Sequence, residues 1–465
     1  MTTPASAKPV LRSSTLSQLS RALSSGAVSS RSLVEQALAA IQAPDGEGGR
    51  CFIAVHADSA RAAADRVDAM RTAGADLPPL AGIPISLKDL FDEAGVTTLG
   101  GSRAMLGQPP ALRDAVTVER LREAGLVIVG RTNMVEFAYS GLGVNPHYGT
   151  PSCAYDRAGR RIPGGSSSGG AISVTDGMAA ATIGSDTGGS LRIPAALNGL
   201  VGFKPTQQRV SLEGVMPLAS SFDSAGAMGH SVQDCTWIDA VLAGEPLPAA
   251  AAEAPPVAGL RLAVPRSYFL DDLSPAVATA FARALSRLSA AGATIVEADM
   301  PVFADAPSIN PRGLITAVEA FEFHRDLIAV AADRYDPRVL GRIRSAEQAL
   351  AVDYAHLLRL RRAFVAAVRR EAAGFDALLM PTTPDTAPTI AEVVATDESY
   401  YRFNGRMLRN PSVVNSFDGC ALSVPCHAAG DAPVGLMVAG CAHADAHVLA
   451  VGRAVESVVA PPQVA

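Results

Sequence analysis

Two segments rich in glycine and serine hold the side chains best suited to acyl-transfer chemistry. The first, 161–170, is Arg-Ile-Pro-Gly-Gly-Ser-Ser-Ser-Gly-Gly, and the second, 183–192, is Ile-Gly-Ser-Asp-Thr-Gly-Gly-Ser-Leu-Arg. Consecutive glycine amides form a concave donor surface that suits a developing oxyanion. Because Ser190 closes the second segment, we expect its hydroxyl to attack a carbonyl carbon there. Flexible linkers have a similar composition, but the apolar run 191–203 that follows is not typical of a solvated linker.

A serine nucleophile needs a base, and no histidine lies near Ser190 in the sequence. Only three of the 39 basic residues are lysines, and two of these are Lys88 and Lys204. Lysine can lose its proton when it is desolvated, whereas arginine cannot. Lys88 follows the alternating apolar pattern of 83–87, which indicates a strand, and sites in α/β proteins gather at strand ends. We therefore expect Lys88 to take the proton through a hydroxyl of 166–168. The alternatives are Lys204 as the base and a Lys88 that extends into solvent.

Short apolar runs alternate with helical segments along the chain, and this alternation predicts a layered α/β fold. The predicted strands are 51–56, 83–87, 126–129, 260–264, 293–297, 376–380, and a hairpin of 421–425 and 434–438. The predicted helices are two within 14–42, then 59–73, 115–124, 171–181, 275–291, most of 312–373, and 443–458. Ser32 and Glu35 match a capping box at the second helix of 14–42. The Pro- and Ala-rich stretch 244–258 is interpreted as a linker.

These motifs together resemble the amidase signature family of serine hydrolases. Its Gly-Gly-Ser-Ser-Gly-Gly appears at 164–170 with a third serine, its Gly-Ser-Asp-Thr-Gly-Gly-Ser at 184–190, and its Gly-Phe-Lys-Pro-Thr at 202–206. The resemblance is strong over about 80–211 and looser elsewhere. It implies a three-layer α/β/α fold with a central mixed β-sheet and no cofactor.

The chain is expected to form a single amidase domain over 1–465, with a helical lid or pocket wall at about 312–373. Substrate specificity is expected in the loops at 105–110 and 137–148 and in 312–360. The aromatic residues of these regions favour an aryl or apolar acyl group.

The resemblance also implies a role for each residue of a Ser–cis-Ser–Lys triad. Ser190 matches the nucleophile, Lys88 the general base, and Ser166 the bridging serine that follows a cis peptide bond, with Ser167 as the alternative bridge. The backbone amides that match the oxyanion hole are those of Thr187, Gly188, Gly189 and Ser190. Ser167 also fits Gly-x-Ser-x-Gly, but a nucleophile elbow requires a strand directly before it, and the sequence predicts none. Asp186 and Arg192 are expected to form a structural pair.

The implied reaction is hydrolysis of a small-molecule carboxamide to a carboxylate and ammonia or an amine through an acyl-serine intermediate. The first alternative is the A-type subunit of a tRNA-dependent amidotransferase, a glutaminase that works within a complex. Proteins of that type share Lys-Thr-Asn-Met-Asp-Glu-Phe-Ala-Met, whereas 131–139 here is Arg-Thr-Asn-Met-Val-Glu-Phe-Ala-Tyr. The second alternative is a non-catalytic relative, which the intact serines and lysine disfavour.

Composition disfavours several other classes of protein. The net charge is −6 without a basic cluster, which argues against a nucleic-acid surface. No apolar run is long enough to span a membrane, and the N-terminus lacks a signal-peptide core, so we expect a cytoplasmic protein. The six cysteines are scattered and are expected to be free, buried thiols. His443 and His447 have the spacing of metal ligands but lack a third ligand nearby. The resemblance also suggests a homodimer.

Overall fold

A mixed β-sheet of eleven strands runs through the part of the chain that the structure describes. The computed structural model describes residues 10–249 and 254–461. The strands are β1 (Phe52–Val55), β2 (Pro84–Lys88), β3 (Val127–Thr132), β4 (Ala181–Ser185), β5 (Val201–Lys204), β6 (Ala225–Gly229), β7 (Arg261–Pro265), β8 (Thr294–Ala298), β9 (Ala377–Pro381), β10 (Cys420–Pro425) and β11 (Gly435–Gly440). They lie in the order β1-β3-β2-β4-β6-β5-β10-β11-β9-β7-β8.

The sheet combines parallel and antiparallel pairs. β2 pairs in parallel with β3 and β4, and β7 pairs in parallel with β8 and β9. The other neighbouring strands are antiparallel. Because β2 and β4 run in the same direction, their carboxyl ends lie at the same edge of the sheet.

Helices pack on both faces of the sheet. The α-helices are α1 (Leu16–Ser24), α2 (Ser30–Gln42), α3 (Gly48–Cys51), α4 (Ala57–Thr72), α5 (Val116–Glu123), α6 (Ser168–Thr175), α7 (Arg192–Asn198), α8 (Val232–Ala243), α9 (Pro275–Ala290), α10 (Ala306–Ile309), α11 (Leu314–Ala331), α12 (Pro337–Arg344), α13 (Ala351–Glu371), α14 (Ile390–Val394), α15 (Asp397–Ser416) and α16 (Asp445–Val459).

Alternate residues of the strands contribute to different apolar cores. Along β11, Leu436 and Val438 pack in a core with α9 and α16, whereas Met437 and Ala439 pack in another core with α13 and α15. This separation follows from the two-residue repeat of a strand. Both faces are therefore covered, which confirms the predicted α/β fold with a central mixed sheet.

Every predicted strand is present, and β10 and β11 form the predicted hairpin. The helix predicted over 171–181 is wrong in its second half. It ends at Thr175, Gly177 adopts a left-handed φ of 71°, and the chain re-enters the sheet as β4 at Ala181. A left-handed residue ends a helix, and glycine adopts this conformation without a side-chain clash.

The cap of α2 is Ser29 rather than Ser32, because the Ser29 hydroxyl accepts a hydrogen bond from the Ser32 amide at 3.1 Å.

The described part of the predicted linker 244–258 contains no helix or strand, and 250–253 lie outside the described residues. Among residues 10–249 and 254–461, no helix combines the length and apolar character needed to cross a bilayer.

Candidate active site

The carboxyl ends of β2 and β4 bring Lys88 next to two serine hydroxyls. Lys88 is the last residue of β2, and Ser185 is the last residue of β4. Nζ of Lys88 donates hydrogen bonds to Oγ of Ser166 at 2.7 Å and to Oγ of Ser185 at 2.8 Å. The Lys88 side chain is fully buried, so the alternative of a lysine that extends into solvent is wrong.

The three consecutive serines make different contacts. Ser166 is the one that hydrogen-bonds to Lys88, and the peptide bond that precedes it is cis. The Ser167 hydroxyl donates instead to the carbonyl of Ser185 at 3.5 Å, and Ser168 begins α6. No strand precedes Ser167, so this serine does not lie in a nucleophile elbow, as the sequence predicted.

The surroundings of Lys88 favour its uncharged form. Burial lowers the pKa of the Lys88 amine to about 7, while the nearby carboxylates of Asp186 and Asp223 oppose this shift. A substantial fraction of the amine is therefore unprotonated at neutral pH. An unprotonated amine that hydrogen-bonds to a serine hydroxyl can accept its proton.

The second glycine-rich segment is held by a buried ion pair. Asp186 and Arg192 pair as predicted, with Nη2 of Arg192 2.9 Å from Oδ1 of Asp186 and Nε 3.0 Å from Oδ2. Asn415 of α15 donates to Oδ1 of Asp186 at 2.9 Å and accepts from Arg192 at 2.7 Å. Burial opposes ionisation of Asp186, but Arg192, Lys204 and Asn415 together lower the pKa of this carboxyl. The Asp186–Arg192 pair and Asn415 thus hold the loop that ends at Ser190 in place.

One of the four predicted oxyanion amides is already engaged. The amide of Gly189 donates to Oδ1 of Asp186 at 2.8 Å, because the buried carboxylate needs donors around it. Within the described residues, the amides of Thr187, Gly188 and Ser190 have no hydrogen-bond acceptor. These three residues also line the cavity described below, whereas Gly189 does not. The structure therefore leaves three of the four amides free for a ligand.

Ser190 opens onto a cavity of about 1570 Å³. Its hydroxyl makes no hydrogen bond to the described part of the protein, and the residue is 3% exposed. Most of the wall comes from 138–140, 306–316, 341–345 and 401–416, and residues of 187–190, 218–222 and 268–272 together with Asp385 complete it. The loop 105–110, where the sequence predicted a specificity loop, does not line it. A cavity of this size accommodates a small organic molecule.

The alternative base and the possible metal ligands lie outside this site. Lys204 is buried at the end of β5, and its Nζ donates to the carbonyls of Pro205 and Gly419 at 2.7 Å each, so it does not contact the site serines. His443 precedes α16 rather than lying in it, so His443 and His447 do not share a helix face. The cysteines are free, and Cys441 is partly exposed.

Two parts of the site were missed from the sequence. Ser185 was missed because the sequence predicted a helix over 171–181 and no strand at β4, at whose end Ser185 lies. α15 was not predicted at all, although residues 401–416 form much of the cavity wall.

The chain is similar to known proteins over most of its length. The family model described as Amidase matches residues 32–449. The chain belongs to the amidase family. Among its curated relatives is 2-amino-5-chloromuconic acid deaminase of Comamonas testosteroni, which is 37% identical over 401 residues, covering 86% of each chain. The family assignment makes the chain an enzyme, a hydrolase of carbon–nitrogen bonds in amides.

Two further members of the amidase family resemble the chain over nearly its whole length. The A-type subunit of the glutamyl-tRNA(Gln) amidotransferase of Symbiobacterium thermophilum is 34% identical over 475 residues, covering 95% of this chain and 96% of that one. A crystal structure of an amidase superimposes with a TM-score of 0.85 and 32% identity, covering 96% of this chain and 100% of that one.

Proposed function

We propose that this amidase hydrolyses a carboxamide to a carboxylate and ammonia or an amine through an ester on Ser190. The observation that supports this most directly is the 2.7 Å hydrogen bond from Lys88 to Ser166 in a fully buried setting. It supplies a base and a relay hydroxyl. The Ser167 amide donates to the Ser190 carbonyl at 3.4 Å, so this serine segment is next to the loop that ends at Ser190, which is open to the cavity.

In the proposed reaction, Oγ of Ser190 attacks the amide carbonyl carbon while its proton passes to Ser166. Ser166 gives its own proton to Nζ of Lys88. The oxygen that becomes negative is stabilised by the free amides of Thr187, Gly188 and Ser190. As the carbon–nitrogen bond breaks, the proton returns along the same path to the leaving nitrogen. Water then attacks the ester by the same relay and releases the carboxylate.

The proposal is tested with the purified chain alone. Incubation with a panel of aliphatic, aryl and urea-type amides should release ammonia or amine from at least one class. A fluorophosphonate probe should label the protein, and peptide mass spectrometry should place the label on Ser190. Absence of both turnover and labelling in folded protein would contradict the proposal and favour a non-catalytic relative.

The alternative function is that of the glutaminase in a tRNA-dependent amidotransferase complex. The similarity to the A-type protein of that complex over 95% of the chain favours it. Val135 and Tyr139 depart from the sequence shared by such proteins and weigh against it. Copurification with a second protein of such a complex, and glutaminase activity only in that complex, would support this alternative over the independent amidase.

Replacing Ser166 with alanine removes the hydroxyl that hydrogen-bonds to Lys88 and should lower kcat by about 10²- to 10⁴-fold, the usual contribution of a positioned acid–base group. The matched variant is Ser167→Ala, one residue away, which leaves this contact intact and should retain most of the activity. Steady-state kinetics on the best amide of the panel distinguish the two. The reverse order of effects would make Ser167 the bridging serine.

A further inference from the structure

The cavity beside Ser190 is more basic than the protein as a whole. The chain has a net charge of −6, yet arginines outnumber acidic residues in the cavity wall. The charged residues of the wall are Arg312, Arg342, Arg402, Arg406, Arg409, Asp272 and Asp385. A surplus of arginine in the binding cavity of an acidic protein favours an anionic ligand.

Two of these arginines are already neutralised. Arg406 contacts Asp272 at 2.5 Å and Asp385 at 3.0 Å. Arg409 lies 3.5 Å from Asp271, and its guanidinium also donates to two backbone carbonyls. The acidic groups near the cavity are thus used by the wall itself, and they leave the other arginines without a carboxylate.

Three arginines of the wall remain. Arg312 and Arg402 are exposed, whereas Arg342 is half-buried. Its guanidinium lies 4.1 Å from the centre of the Tyr139 ring, and its Nη1 donates to the Tyr139 carbonyl. Among the described residues it has no ion-pair partner and its side chain makes this one hydrogen bond, so most of its five N–H donors are unused. A guanidinium held by an aromatic ring presents its donors in a fixed orientation to a carboxylate.

The segment that contains Tyr139 connects Arg342 to the reacting residues. The amide of Val135 donates to the carbonyl of Ser166 at 3.1 Å, four residues before Tyr139. Glu136 lies between these two residues in the chain, and its carboxylate accepts a hydrogen bond from the backbone amide of the N-cap residue of α12 at 2.7 Å. α12 and Arg342 are therefore fixed to the segment that also contacts Ser166.

We propose that Arg342 binds a carboxylate of the substrate, so that this enzyme acts on amides that also carry a carboxylate group. The proposal rests on the amide hydrolysis proposed above and names its substrate class. The aromatic residues of the wall, among them Phe222, Tyr268 and Phe403, suit a planar or apolar body between the amide and the acid. The proposed substrate therefore combines the apolar acyl group expected from the sequence with a carboxylate.

Matched substrates test this specificity. We would measure kcat/KM for 4-carbamoylbenzoate against its neutral methyl ester and benzamide, and for N-benzoylglycine, in which the carboxylate is on the amine side. Wild-type enzyme should prefer one of the two acids over the neutral amides by at least about tenfold. Arg342→Gln should lower kcat/KM for that acid by about 10- to 100-fold, chiefly through KM, the usual value of a charge-assisted hydrogen bond. Its activity on neutral amides should change little.

Arg344→Gln is the control, because Arg344 lies on the same helix but is exposed and does not line the cavity. It should leave both classes of substrate unaffected. Arg342→Lys, which keeps the charge, should recover part of the preference for the acid. Equal loss of activity on acidic and neutral amides in Arg342→Gln would overturn the proposal, because Arg342 would then act only through Tyr139.

Binding of terephthalate, an inert diacid, separates this proposal from the proposed reaction. Calorimetry should show wild-type affinity in Arg344→Gln and about 10- to 100-fold weaker binding in Arg342→Gln. This result would support the carboxylate site even if every amide of the panel were inert, in which case only the reaction would fail. Identical affinities in wild type and Arg342→Gln would reject the carboxylate site while leaving amide hydrolysis intact.

Discussion

Ser190→Ala should reduce amide turnover by at least about 10⁴-fold, since removal of a serine nucleophile leaves only the activity of the surrounding donors. Steady-state ammonia release and loss of fluorophosphonate labelling measure this. The fold should be unaffected, because the Ser190 hydroxyl makes no hydrogen bond within the described residues. An unchanged melting temperature would confirm that the loss is chemical. Residual turnover above about one per cent, in protein free of wild-type enzyme, would rule out Ser190 as the nucleophile.

Lys88→Met should lower kcat by about 10³- to 10⁵-fold, because it removes the proposed base while filling the same buried space with an apolar side chain. In the wild type, Lys88 must be unprotonated to accept a proton. Since burial lowers the pKa of Lys88 to about 7, the logarithm of kcat/KM should rise with unit slope below pH 7 and reach a plateau above it. A pH–rate profile from pH 5 to 9 tests this directly.

Lys204→Met is the matched control for this prediction, because Lys204 is the other buried lysine of the described chain and burial lowers its pKa to about 8. Its loss leaves two buried carbonyls without a donor, so the variant should be less stable by about 1–3 kcal/mol and still active. If Lys204→Met lost turnover while Lys88→Met retained it, the two roles would be exchanged. A flat profile between pH 5 and 8 would show that no base with a pKa near 7 limits the reaction.

Much of the site could be predicted because it lies in local sequence. The serines and Lys88 belong to short motifs, and the strand pattern of 83–87 correctly places Lys88 at a sheet edge. The contact of Lys88 with Ser166 depends only on the end of β2 and on the loop directly before α6. The choice between Ser166 and Ser167, by contrast, depends on backbone geometry that the sequence does not reveal, and the structure places Ser166 against the amine.

The cavity wall could not be predicted in the same way. α15 contains Pro411, which normally ends a helix, and several of its buried positions are polar, among them Asn404 and Asn410, so the sequence shows no continuous apolar repeat. β6 was missed because its sequence, Ala-Gly-Ala-Met-Gly, has a low strand propensity. Its glycines are needed for close packing, since a Cβ on Gly226 would lie 2.4 Å from the carbonyl of Phe203. Tertiary packing decided these elements rather than local preference.

α15 has two roles that conflict when an enzyme is adapted to a new substrate. One part of the helix shapes the cavity through residues such as Arg406 and Leu408, while Asn415 holds the Asp186–Arg192 pair under the nucleophile loop. A shift of the helix made to enlarge the cavity would also disturb the loop. Engineering of new specificities should therefore begin on α12 beyond its N-terminal cap, where changes leave the contacts of Asn415 and of Glu136 in place.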